Sequence, residues 1–157
     1  MEYEMRRFRQ ELDRDEIERI LREGTSGVLA LCDADGMPYA VPLSYAWVGD
    51  TIYFHSALTG HKIADIRQNP KASFCVIARD DVHPAEFVTY YQSVIAFGRI
   101  EIVDDPAGKT AGLKHLSDKY CPGIDPTAEI SRFIDNVLIL KFHIESLTGK
   151  QAKPLAN

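Results

Sequence analysis

The segment from Tyr53 to Lys62, Tyr-Phe-His-Ser-Ala-Leu-Thr-Gly-His-Lys, concentrates more chemistry than any other part of the chain. A strand, then a loop of Ser, Ala, Thr and Gly, then a helix start is local geometry that binds phosphate. The helix N-terminus offers unpaired N–H groups and a partial positive charge, and Lys62 adds a full one. The spacing is not Gly-x-x-x-x-Gly-Lys-Ser/Thr, so triphosphate chemistry is not implied. A helix cap beside a solvated lysine is the plainer local reading. His55 alternates with Phe54, so if Ile52 and Phe54 face a core, Tyr53 and His55 face outward, as ordinary surface or toward a ligand.

Two other strand patterns hold candidate binding residues. From Val41 to Trp47, alternation puts Val41, Leu43, Tyr45 and Trp47 on one face and Pro42, Ser44 and Ala46 on the other. A small-residue face with a proline leaves room for a flat ligand or a neighbouring subunit, and equally fits a bulged edge strand. Tyr90 to Ile100 mixes aromatics with Gln92 and Ser93, as a half-buried strand with a polar outer face would. No Ser/His/Asp nucleophile arrangement and no paired carboxylates are apparent. The five histidines show no metal-ligand spacing, so no metal site is expected. An enzyme built this way needs a cofactor to carry the chemistry.

The elements that must position these residues are mostly strands. Asp13 and Glu16 have capping-box-like spacing before an apolar stripe of Ile17, Ile20 and Leu21, which predicts an opening helix stopped by Gly24. Strands are expected over 26–32, 38–48 and 51–55, joined by turns at Asp33–Gly36 and Gly49-Asp50. A short helix follows from about Gly60 to Gln68 and ends at Asn69-Pro70. Strands over 71–78 and 87–103 flank a polar loop, 79–86, and Gly98 marks a bulge or close approach. Asp105-Pro106 starts a helix running to about Tyr120, and Asp125-Pro126 a shorter one. The last strand spans 136–147, followed by a polar tail, 148–157.

Length and composition bound the rest. The chain has 157 residues, is 45% hydrophobic and carries a formal charge of −5, so one domain spanning 1–157 is expected. An acidic balance disfavours nucleic-acid and anionic-membrane binding, though a local basic pocket is compatible with it. No apolar run is long enough for a membrane helix or a signal peptide, and the cytoplasm is the expected location. Cys32 and Cys75 lie in apolar runs and read as small core residues. Cys121 belongs to a Cys-Pro-Gly turn.

In this order, Val-Pro-Leu-Ser-Tyr (41–45), Tyr-Phe-His-Ser-Ala (53–57), Gly-x-Lys (60–62), Asn-Pro (69–70) and the Ser93-Val94 to Phe97-Gly98 strand resemble the FMN-binding split-barrel superfamily. The likeness is to the branch of 5-nitroimidazole-resistance (Nim-type) proteins, relatives of pyridoxamine 5′-phosphate oxidase. It runs from about Thr25 to Lys150, through Tyr120-Cys121-Pro122-Gly123 and Thr148-Gly149-Lys150. The resemblance implies a mainly β fold, a six-stranded antiparallel split β-barrel with short helices, forming a homodimer with FMN at the subunit interface. It further implies that Lys62 and Ser93 hold the phosphate, with His55, Ser56 and Ala57 along the cofactor. Pro42, Leu43 and Ser44 would line the ring, Gln92 would add a polar contact, and His55 would face a small-molecule substrate as the catalytic residue. The activity implied is an FMN-dependent oxidoreductase of the nitroreductase kind. The alternatives are a non-catalytic flavin carrier or sensor, or the same barrel around haem or a deazaflavin. The tail lacks the Trp/Arg-rich ending with which pyridoxamine phosphate oxidases hold substrate.

Overall fold

The computed structural model describes residues 5–156. Its strands are β1 (Ser26–Cys32), β2 (Pro38–Ser44), β3 (Ala46–Val48), β4 (Thr51–Ala57), β5 (Lys71–His83), β6 (Val88–Val103) and β7 (Val137–Gln151). They form one antiparallel sheet in the order β2-β1-β5-β6-β7-β4-β3. The two edge strands, β2 and β3, are consecutive in the chain, so the sheet curls until its edges meet at Tyr45. No β2–β4 ladder closes it. This is a split barrel, with seven strands where six were expected.

The extra strand comes from a break. Residues 38–48 run as two strands because Tyr45 and its neighbour Ala46 are both buried, at 0% and 2% exposure, which strict alternation forbids. Tyr45 joins the barrel interior with Leu29, Ile52, Phe54, Phe74 and Phe142. Ala46 faces the other way and packs with Val103, Leu116 and Ile139. The outward face predicted for Pro42, Ser44 and Ala46 is therefore open only at Pro42 and Ser44.

Helices close the barrel. Helix α1 (Arg14–Glu23) begins where Asp13 accepts the Glu16 N–H at 2.9 Å and sends Ile17, Ile20 and Leu21 into the core. The helix thus starts at the predicted Asp13 cap, and the rest of the N-terminal helical segment expected over 1–24 holds a single 3₁₀ turn at Phe8–Gln10; residues 1–4 lie outside the described residues. Helix α2 (His61–Gln68) contributes Ile63 and Ile66 to the core from beside β1. Helix α3 (Pro106–Tyr120) lies over β3, β4 and β7, and the short α4 (Thr127–Phe133) follows it.

Two further boundaries moved. The polar stretch 79–83 is strand, not loop, because β5 and β6 pair as a long hairpin to His83↔Val88; its polarity reflects exposure beyond the barrel. Residues 148–151 are also strand, not tail, since Lys150 pairs with Ser93 and Gln151 with Gln92. Cys32 and Cys75 are half-buried, not core. Cys75 sits between the inward Phe74 and Val76 and so points to the outer face, where burial raises its thiol pKa. At Gly98 the ladder with β7 shifts, and a Cβ there would strike the His143 carbonyl. The close approach read from sequence is real.

Candidate functional site

The split itself is the candidate site. Strand β4 pairs with β3 through Ala46↔Tyr53. Beyond that pair, β2 turns away to lie on β1, with Val28 opposite Pro42 and Ser26 opposite Ser44. Pro42, Leu43 and Ser44 therefore form one lip and His55, Ser56 and Ala57 the other, diverging from a common root. The far end is bridged by a side-chain contact: the rings of Tyr39 on β2 and His61 on α2 stack with centroids 4.0 Å apart. The two motifs thus lie on strands that part at Tyr45, and Lys62 lies in the first turn of α2.

Side-chain placement follows the strand period. His55 and Ala57 are exposed, as are Pro42 and Ser44, while Leu43 and Lys62 are half-buried. Ser56 points inward, is 4% exposed, and its Oγ has no hydrogen-bond partner among the described residues. Gly60, at φ 131° and ψ 175°, holds at the N-cap of α2 a backbone conformation that only glycine adopts readily.

Two residues went unassigned in the sequence reading. Asp65 is 3% exposed although charged, and the His61 Nε2 is 3.3 Å from its Oδ2 without the alignment of a hydrogen bond. The i, i+4 spacing of His61 and Asp65 was visible, but nothing local reveals that this face of α2 is the buried one. Lys150 lies opposite Ser93 on the ladder, and only strand register could pair them.

The root of the split is held by α3. The Tyr120 hydroxyl accepts the Tyr45 N–H at 2.8 Å and lies 2.6 Å from the Thr25 carbonyl oxygen and 2.8 Å from that of Tyr45, so its proton goes to one of these. Lys119 donates to the Gly24 carbonyl, with its Nζ 3.9 Å from the centroid of the Tyr45 ring. Burial lowers the Lys119 pKa to about 8. The Tyr45 hydroxyl donates to the Leu21 carbonyl at 2.8 Å, and its burial raises the phenol pKa far above the ordinary value.

Gln92 and Ser93 stand apart from this groove within one chain. Ser93 is in the outer-face row of Ser44, but β1 and β5 intervene, three strand spacings or about 14 Å. Lys62 is further still. Registers traced from Tyr39 through Leu31 to β5 and β6 arrive near Gly98, five residues or roughly 17 Å along the strand from Ser93. Gln92 also has a partner already, its amide donating to Gln151 at 3.2 Å.

The outer face between them is open. The row Pro42, Val28, Cys75, Ile95 and Thr148 crosses five strands by successive pairing, and Val28, Ile77 and Phe97 are exposed at 37%, 64% and 47%. No described helix is long and apolar enough to cross a membrane, and no group of three or more metal-ligating side chains exists among the described residues.

A family model described as pyridoxamine 5′-phosphate oxidase matches residues 13–151. Uncharacterized protein RA0666 of Rhizobium meliloti (strain 1021) is 34% identical over 92 residues, 57% of this chain and 54% of that protein. The chain thus spans about half the length of the curated relative it matches. A solved structure from Bacteroides thetaiotaomicron VPI-5482, of a protein proposed to give 5-nitroimidazole antibiotic resistance, superposes with a TM-score of 0.78 at 22% identity, over 90% of this chain and 86% of that one. An FAD-binding protein of Mesorhizobium loti superposes with a TM-score of 0.69 at 26% identity, over 92% and 96%. The family match runs through all seven strands, and the chain therefore belongs to the pyridoxamine 5′-phosphate oxidase family of split barrels.

Proposed function

We propose that this chain, as one unit along its length, binds FMN in the split between β2 and β4 and is an oxidoreductase acting on a small molecule, nitro compounds being the leading class. The observation that carries this reading is the family match over residues 13–151, with His55 exposed on β4 and Lys62 half-buried in the first turn of α2. The β2 side of the split, Pro42 to Ser44, is small and flat. A planar heteroaromatic ring with polar edges suits such a groove. Lys62 and the free N–H groups opening α2 would take the phosphate, and His55, exposed on the β4 lip, would hold a proton for the substrate. When bound, the flavin supplies the electron transfer for which no side-chain arrangement here is equipped. The FAD-binding relative from Mesorhizobium loti supports flavin chemistry in general.

A homodimer completes the proposal. An open sheet face with exposed Val28, Ile77 and Phe97 is an association surface, and a second copy packed there would carry its own Gln92 and Ser93 toward the split of the first. The spectrum of the protein as purified tests the cofactor: flavin bands, bleached by NAD(P)H and restored by a nitroaromatic, are expected. A Soret band, or a colourless protein that takes up no added FMN, would refute the reading. Flavin bands with no reoxidation by any acceptor would leave a carrier or sensor.

A further inference from the structure

At the barrel end capped by α1, a cleft of about 540 Å³ is lined by Arg6, Arg7, Phe8, Arg9, Gln10 and Lys153. Four cations on one cleft are conspicuous in a chain of formal charge −5. None of the four is within ion-pair distance of a carboxylate among the described residues. Phe8 is 68% exposed, with the Arg9 guanidinium 5.8 Å from its ring centroid. Gln10 is 7% exposed, and its Oε1 accepts from no group among the described residues. Guanidinium and ammonium groups match phosphate oxygens, and a free aromatic face stacks a base. The volume lies within the 300–1,000 Å³ typical of ligand pockets.

We infer that this cleft binds an adenosine diphosphate group, the purine on Phe8 and the diphosphate among Arg6, Arg7, Arg9 and Lys153. Its position fits a dinucleotide whose other half lies in the split of a second copy, toward which Ser93 of this chain reaches in the dimer proposed above. Lys153 is three residues from Lys150, about 10 Å of extended chain, and Lys150 lies opposite Ser93. Glu11, next to Gln10, bridges to Lys150, and the Ala152 N–H donates to the Tyr91 carbonyl at 2.9 Å. Two dinucleotides contain the group: FAD in place of FMN, or a pyridine dinucleotide delivering electrons. The choice between these sources rests on the flavin reading proposed above, whereas the ADP site does not.

Calorimetric titration of the full chain with ADP, adenosine and pyrophosphate tests the site. ADP should bind at least tenfold more tightly than either fragment, and Phe8→Ala and Arg9→Gln/Lys153→Gln should each weaken it tenfold or more. Both changes are at exposed positions, so folding is preserved, and far-ultraviolet circular dichroism checks it. No ADP binding, equal binding by the variants, or pyrophosphate as tight as ADP would overturn the assignment. FAD binding more tightly than FMN, with only FAD weakened by Arg9→Gln/Lys153→Gln, identifies the cofactor as the source. NADPH displacing ADP while FAD and FMN bind alike identifies the reductant. ADP bound but displaced by neither would overturn the dinucleotide role. A chain that binds no flavin would refute the flavin reading alone, because the ADP titration needs none.

Discussion

The hydroxyl of Tyr120, the last residue of α3, accepts the backbone N–H of Tyr45 at 2.8 Å, 75 positions earlier in the chain. That N–H sits where β2 ends and β3 begins, so no ladder partner is available to it. One side chain thus closes the seam from which the split opens. Tyr120→Phe keeps the ring and removes the acceptor. The orphaned donor should cost about 1–3 kcal/mol, read from urea midpoints at an unchanged slope. A loss below about 0.5 kcal/mol, the range of ordinary surface changes, would mean that water takes the hydroxyl's place.

Lys119, beside it, makes stability depend on pH. Burial lowers its pKa to about 8 from the ordinary 10.5, so between these values the unfolded chain holds more protons than the folded one. Stability from this group therefore rises with pH across that window and is level below it. Measured against Lys119→Met, wild type should gain relative stability from pH 8 to pH 10. A difference that stays constant over that range would show that the ammonium is as well solvated in the fold as outside it.

His55 is exposed on the β4 lip, one residue before the buried Ser56. It can meet a substrate without carrying the fold. His55→Ala should purify with the same flavin content as wild type and reduce nitroaromatics at least tenfold more slowly. Folded but flavin-free protein would move His55 from catalysis to binding.

Lys62, half-buried at the first turn of α2, should act on phosphate alone. A charge-assisted hydrogen bond contributes about 1.5–3 kcal/mol, so Lys62→Ala should weaken FMN roughly ten- to a hundred-and-fifty-fold. Riboflavin, which has the ring without the phosphate, should bind almost unchanged. Titrating both into wild type and variant separates the cases, and equal losses would put Lys62 against the ring.

Phe97 projects from the open face at 47% exposure, on the ladder opposite Ser73 and Ser146. If two copies meet there, Phe97→Asp places a charge in an apolar interface and should yield monomers in sedimentation at micromolar concentration. A monomeric wild type that retains FMN would end the dimer model, and a variant that stays dimeric would move the interface elsewhere.

Much of this protein was legible in its sequence because the signals were local. Asp13 before an Ile17/Ile20/Leu21 stripe, Gly60 before α2, Asn69-Pro70 after it and Asp105-Pro106 before α3 each set an element boundary through their own backbone preferences. Two-residue alternation placed Ile52 and Phe54 inside and His55 outside without any knowledge of neighbours. The ordered motifs carried the family. What only the tertiary structure decided depends on groups distant along the chain. The strand predicted over 38–48 breaks at Tyr45 because a hydroxyl from Tyr120 and a carbonyl from Leu21 await it, which no local pattern encodes. Residues 79–83 and 148–151 are polar enough to read as loop and tail, and become strand only because β6 supplies hydrogen-bond partners on both sides. Lys62 and Ser93, joined by motif, lie apart in one chain because register, a property of pairs of strands, sets where each residue falls. Alternation identifies a residue's face, and only the fold determines what stands opposite it.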